Sequence, residues 1–367
     1  MTKPMSIYLD LVRSVAALMV FHNHAAYSRF GGHWMRPWGT FGNDGVMIFF
    51  VMSGFVIAYV AQREGANFRD FAVARTSRLW SVVLPALLIT IVLDQAGSRI
   101  DPALYDGWWY ASDQPIWRFT ANLFFINNLW FDSVRAFSNG PFWSIGYEFW
   151  YYVVFAMGFF GPPRLRWLGV LLVIGFVGPR LALLLPIWML GVAVFWLCQR
   201  RSIPEWLGWT LTLCSIVAYG LFRYHNVSDQ LLHYTYGIWG KKAVRAFCGG
   251  YTERFMADYL MGAIVAAHFL GIYGIQHRIA GALDKVERPA RTLGGYTFAI
   301  YLFHYPMLMF FGAIFGKQPL LLIALTSVGI VICAEFSEKK KGAYRAAVDA
   351  AVKRIEQAFR GPSAHRR

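Results

Sequence analysis

The run GVMIFFVMSGFVIAYVA, residues 45–61, carries no charged side chain, and apolar runs of similar length recur along almost the whole chain. A helix needs roughly 20 apolar residues to cross ~30 Å of hydrocarbon, where every backbone amide must be bonded internally. Composition agrees: 57% of the 367 residues are hydrophobic and 15% charged, with a mean hydropathy of +0.41, which excludes a water-soluble globular domain. The expected fold is all-α, a polytopic helical bundle in a membrane.

Hydropathy suggests about ten transmembrane helices: Ile7 to Tyr27, Val46 to Ala61, Leu79 to Asp94, Phe142 to Phe160, Leu165 to Leu184, Pro186 to Cys198, Leu207 to Phe222, Phe255 to Tyr273, Thr297 to Phe315 and Leu320 to Phe336. The fifth and sixth share one apolar stretch that Gly178, Pro179 and Arg180 interrupt, a helix end or tight turn. Basic residues collect in QREGANFRDFAVARTSR, GPPRLR, QRRS, QHRIAGALDKVERPARTL and the tail from Glu338, with its KKK and final RR. If these face the cytoplasm, both termini are cytoplasmic and an even number of spans results. The loops Gln95 to Gly140 and Arg223 to Arg254 then lie outside. The chain divides into a transmembrane part, residues 1–336, and a basic cytoplasmic tail, residues 337–367, in which GAYRAAVDAAVKRIEQAF reads as a short amphipathic helix.

This distribution explains the net charge of +15 through inner loops and anionic lipid, and no basic run is paired with a fold that reads nucleic acid. The first span has no small-residue cleavage site and is expected to stay as an anchor. Cys198, Cys214, Cys248 and Cys333 show no ligand spacing, so neither a disulfide framework nor a metal site is expected.

The stretch RSVAALMVFHNH, residues 13–24, is unexpectedly polar for a span. Eleven residues of helix advance about 1100°, which puts Arg13 and His24 within ~20° of one another and ~16 Å apart along the axis. His22 falls on nearly the opposite side. Singly, Arg13 reads as a snorkelling anchor and His24 as an interfacial polar residue; together on one face they indicate a lined cavity.

Four further stretches share this polarity. Asp44 opens the second span at a natural cap position. Arg75 and Arg78, three apart before the third span, make an anion site at a helix start or simply a basic inner loop. The fourth span begins NGPFWSIGYEFWYY, with Asn139 or Gly140 as cap, Pro141 as its first residue and Glu148 about two turns inside, where a carboxylate is costly unless paired or functional. His304 and Pro306 in YLFHYPM suit either a kinked packing helix or catalysis. With the orientation above, His24, Asp44 and Glu148 belong to the outer half of the membrane, and Arg13, Arg75 and Arg78 to its inner face.

The ordered set of an arginine, ten residues and a histidine in span one, then GVMIFFVMSGF, an RxxR before span three, FWSIGYEFWYY and YLFHYPM resembles the acyltransferase 3 family of membrane acyltransferases, over roughly residues 5–336. The resemblance implies transfer of an acyl group, usually acetyl, from cytoplasmic acyl-coenzyme A to a hydroxyl of a sugar, glycan or lipid-linked saccharide at the outer face, in the cytoplasmic membrane of a bacterium. It makes His24 similar to the family's catalytic residue, links Arg13, Arg75 and Arg78 to the donor, and matches Glu148 to the glutamate of a WSxxxE pattern. Asp44 is the only acid near the position of Met47, where the family often has an aspartate. Ser53, Trp143, Tyr147 and His304 are expected as supporting positions. Some family members append an extracytoplasmic esterase-like domain; here a basic tail follows instead, so a partner hydrolase would be another protein.

The chemistry is consistent with that expectation. Acetyl-coenzyme A, as co-substrate rather than bound cofactor, has phosphates suited to a cationic mouth and a pantetheine arm that spans the ~16 Å from Arg13 to His24. Histidine acts as general base on the acceptor hydroxyl or as a nucleophile carrying the acyl group, and neighbouring carboxylates orient its ring. Trp108, Trp109, Trp117, Trp130 and Trp143 offer stacking faces to a sugar or form an interfacial belt. A transporter or flippase of a lipid-linked saccharide also needs polar residues along a path, but no pseudo-repeated halves are visible. A sensor or scaffold would leave His24 dispensable.

Overall fold

The computed structural model describes residues 1–38, 40–62 and 67–360. Arg63 and the closing Arg366 and Arg367, which the charge argument includes, lie outside the described residues. Helices follow one another as α1 Lys3–Ala25, α2 Gly42–Ala61, α3 Phe68–Ile100, α4 Pro115–Leu123, α5 Trp143–Phe160, α6 Arg166–Val177, α7 Pro179–Arg200, α8 Glu205–Tyr224, α9 Val227–Trp239, α10 Lys241–Cys248, α11 Phe255–Lys285, α12 Glu287–Gly294, α13 Thr297–Phe315, α14 Pro319–Phe336 and α15 Lys341–Arg360. No strand occurs among the described residues.

Each span expected from hydropathy overlaps one of these helices, yet among the described residues only seven stretches are long and apolar enough to cross a membrane: α1, α2, α3, α7, α11, α13 and the continuous Pro319–Arg354. α5 is rich in Trp and Tyr and carries Glu148, and α6 has only 12 residues. The fifth and sixth spans divide at Gly178, so Pro179 to Leu184 belong to α7. Gly178 takes a positive φ of 86°, open to glycine, and Pro179 follows as the first helical residue.

Local signals set the helix starts. Thr2 caps α1, accepting from the Met5 amide at 3.4 Å, and Asn67 caps α3, accepting from the Asp70 amide at 2.8 Å. That cap lies eight residues before Arg75, which corrects the expected helix start. Arg75 and Arg78 stand in the second and third turns of α3, where backbone N–H groups are already bonded, so any anion there meets guanidinium groups alone. Helix α3, at 33 residues, is about 50 Å long and overruns the hydrocarbon at its ends.

α1 packs against α2, α11, α12 and α13, which makes it a central element, and α13 is the most enclosed span, with 72% of its apolar window buried. α2 and α7 cross at contact distance because glycines face one another's backbones. A Cβ on Gly191 would stand 1.8 Å from the Val51 carbonyl oxygen, and one on Gly54 would stand 2.0 Å from that of Trp188. α15 lies along α3, where Arg69 pairs with Asp349 at 2.7 Å and Glu356 at 3.1 Å.

Candidate functional site

Two groups of polar side chains stand at different levels of α1. At its C-terminal end a cavity of about 440 Å³ is lined by His24, Asn23, Tyr27, Trp109, Trp143 and Tyr305 among others. Beside its N-terminal half, from the middle of the helix down, Arg13, Arg78 and Arg291 line two adjoining cavities of about 610 and 370 Å³. Between the ends lies a void of about 30 Å³. Its walls include Val46 and Tyr301 of the first cavity and Phe49, Phe298 and Glu148 of the second.

The helical-face argument for the two histidines holds in space. His24 lines the chamber at the C-terminal end of α1, whereas His22 does not, and the buried Nε2 of His22 has no partner. His24 Nδ1 stands 2.8 Å from Nε2 of His304, a fully buried residue of α13. The second nitrogen of His304, Nδ1, is 2.8 Å from the Ile300 carbonyl oxygen. A carbonyl only accepts, so His304 Nδ1 carries the hydrogen and its Nε2 offers the lone pair. His24 Nδ1–H therefore donates, and the free lone pair of His24 is on Nε2. The rings lie 5.0 Å apart at 28°, and Tyr305 and Tyr27 set their edges on His24 at 5.1 and 5.3 Å. His304 is thus the partner of His24, a role its surroundings in sequence left open.

The carboxylates stand elsewhere than the sequence suggests. Asp44 lies in the first turn of α2 after the cap residue Phe41, and its side chain accepts from Tyr219 at 3.0 Å and pairs with Arg223 at 3.2 Å. It does not meet His24. Glu148 lines the arginine-bearing cavity with Arg13, Arg75 and Arg78, accepting from Ser53 at 3.0 Å and from Tyr152. The expected depth for Glu148, beside His24, is corrected: the side chain points from α5 toward the arginine end.

Arg13 pairs with Asp10 at 2.9 Å and its Nε has no partner, while Arg75 and Arg78 form no ion pair among the described residues. Gly294 lets α12 close on the Arg13 guanidinium, which a Cβ there would meet at 2.7 Å. Arg291, unforeseen, reaches Asp10 at 3.3 Å from α12 and joins the same wall.

Of the tryptophans, Trp108, Trp109 and Trp143 line the chamber, and Trp143 stacks on Tyr251 at 5.3 Å. Trp117 and Trp130 are exposed and do not line it. Tyr147 is buried in the aromatic packing of Phe50, Trp143 and Tyr151. Arg29 and Arg135, which no motif singled out, enter from loops: Arg29 donates to the Tyr305 hydroxyl at 2.9 Å and lies 3.9 Å over Trp109, and Arg135 faces Trp108 and Tyr251. Burial raises the Tyr251 phenol above its ordinary value, so it brings no negative charge to Arg135.

No group of three or more His, Cys, Asp or Glu side chains suited to a metal occurs among the described residues. In comparison with known proteins, the family model described as an acyltransferase domain, acyltransferase 3, matches residues 6–336. No curated protein and no solved structure matches the chain.

Proposed function

The chain belongs to the acyltransferase 3 family, and from that premise we propose that this membrane acyltransferase moves an acetyl group from cytoplasmic acetyl-coenzyme A to a hydroxyl of a sugar or glycan at the extracytoplasmic face of a bacterial inner membrane. The observation that carries this reading is His24 itself. Its Nδ1 is committed to His304, which leaves the lone pair of Nε2 for the aromatic chamber, and ~16 Å along the same helix Arg13 faces the inner cavity with Arg75 and Arg78.

In the proposed reaction the donor phosphates bind the arginines of the inner cavity, as bidentate guanidinium groups favour. The pantetheine arm runs through the position of the narrow void and brings the thioester to His24. His24 Nε2 takes the proton of the acceptor hydroxyl as its oxygen attacks the thioester carbonyl. The carbon–sulfur bond then breaks, and the proton passes from His24 to the departing thiolate to give free coenzyme A. A void of about 30 Å³ holds little more than a water, so the donor arm must displace Phe49, Phe298 or Tyr301 as it enters.

Mass spectrometry of surface glycans from cells with and without the gene tests the reading. Glycans of the wild type are expected to carry an acetyl mass that the deletion strain lacks and that His24→Ala does not restore. Identical glycan masses in both strains, with no acetyl-coenzyme A binding to the purified protein, would overturn it.

A further inference from the structure

The outer chamber is more basic than a neutral sugar requires. Four arginines line it, Arg29, Arg135, Arg245 and Arg254, against one acid, Glu253. Two of the four are matched by acids: Arg245 lies 3.7 Å from Glu253, and Arg254 pairs with Asp229 at 2.7 Å. Glu253 also accepts from the Tyr236 hydroxyl. Arg29 and Arg135 have no carboxylate partner among the described residues, and both are partly buried against aromatic faces. Partly burying guanidinium groups without an anion is unfavourable, and stacking on Trp109 or Trp108 leaves N–H groups at their edges for a planar anion, besides the one that Arg29 gives to Tyr305. Arg29 also holds the Tyr305 hydroxyl, and Tyr305 sets its ring edge against His24, so one side chain links the unmatched charge to the imidazole ring.

We infer that the acceptor is anionic: Arg29 and Arg135 hold a carboxylate or phosphate of the sugar while its hydroxyl faces His24. This rests on the reading of the chamber as the acceptor site and deepens it. An acidic sugar and a sugar phosphate present the same chemistry to two arginines, and direct binding separates them.

The test uses the full chain in detergent micelles without donor, with binding followed by calorimetry for three probes: methyl glucoside, methyl glucuronoside and glucose 6-phosphate. At least one charged probe is expected to bind about tenfold tighter than the glucoside, the scale of a charge-assisted hydrogen bond, and to weaken as salt rises. Preference for the glucuronoside identifies a carboxylate, and preference for the phosphate identifies a phosphoryl group. Arg135→Gln is expected to bring the charged probe down to the affinity of the neutral one. The double variant Arg75→Ala and Arg78→Ala, altered at the inner cavity, is expected to keep the preference. Equal binding of all three probes, no binding of either charged probe, preference surviving in Arg135→Gln, or preference lost in the inner-cavity variant each overturns the inference. Acetyl-coenzyme A binding measured on the same samples reports separately on the acyltransferase reading.

Discussion

His24 Nδ1 lies 2.8 Å from His304 Nε2, across 280 residues of sequence, and the Ile300 carbonyl behind His304 fixes the direction of that hydrogen bond. The proposed base is thus oriented by a second imidazole rather than by an acid. A carboxylate would stabilise the imidazolium that forms during proton transfer, whereas a neutral histidine fixes only the tautomer and the ring.

His24→Ala is expected to abolish acyl transfer with insertion and coenzyme A binding intact, and His22→Ala to remain active. His304→Ala is expected to lower kcat by about 10²-fold, the scale of a general base losing its positioning. Side-by-side kinetics at equal membrane levels check all three. An inactive His22→Ala beside an active His24→Ala would remove the site assignment.

Replacing Arg75 and Arg78 together with Ala is expected to raise the Kd of acetyl-coenzyme A at least tenfold, with binding of a sugar probe unchanged. Lysines at both positions should restore only part of that affinity, since a point charge lacks the guanidinium fork. An unaltered donor Kd in titration calorimetry would show that these arginines do not hold the donor.

Glu148 faces the inner cavity, so its removal should separate binding from turnover. Glu148→Gln deletes a negative charge from a cavity proposed to take a polyanion and loosens its hold on Ser53 and Tyr152. The donor Kd is expected to stay equal or tighten while kcat falls at least tenfold. Weaker donor binding at unchanged kcat is the result that contradicts this.

Ser144 lines the narrow void and contacts the Tyr301 hydroxyl at 2.7 Å. Ser144→Phe fills that space. Acetyl transfer is expected to be lost while acetyl-coenzyme A still binds and the protein purifies as a stable species. A fully active variant would move the donor path elsewhere.

Gly191→Ala places a methyl group against the Val51 carbonyl and forces α2 and α7 apart. Overpacking of this kind typically costs about 1–3 kcal/mol, and a lower thermal midpoint in detergent is expected. An unchanged midpoint would mean the crossing is loose.

Much of this arrangement is legible in sequence because it depends on one helix at a time. The helical period separates His24 from His22, and a glycine–proline pair divides α6 from α7. What escaped depends on how helices rotate against one another. α5 offers Glu148 to the inner cavity, which no periodicity within α5 decides. Asp44 finds Arg223 on α8, 179 residues away, and so leaves the site it was expected to join. Arg29 and Arg135 sit in loops with no repeating pattern to mark them, and the loop from Arg223 to Arg254 folds into α9 and α10, too short to stand out. Hydropathy also credits Trp and Tyr with little, and α5, rich in both, falls short of a span by that measure.

The narrow void between the two cavities has a consequence for the membrane itself. A protein with a water-filled recess at each end of one bundle is a continuous wire for protons and ions unless something interrupts it. Phe49, Phe50 and Phe298 wall the interruption, and a gap of about 30 Å³ leaves no room for the connected chain of waters that proton hopping needs. Those side chains are therefore expected to keep the bundle closed to protons, and an acid pulse applied to liposomes that hold the protein checks it.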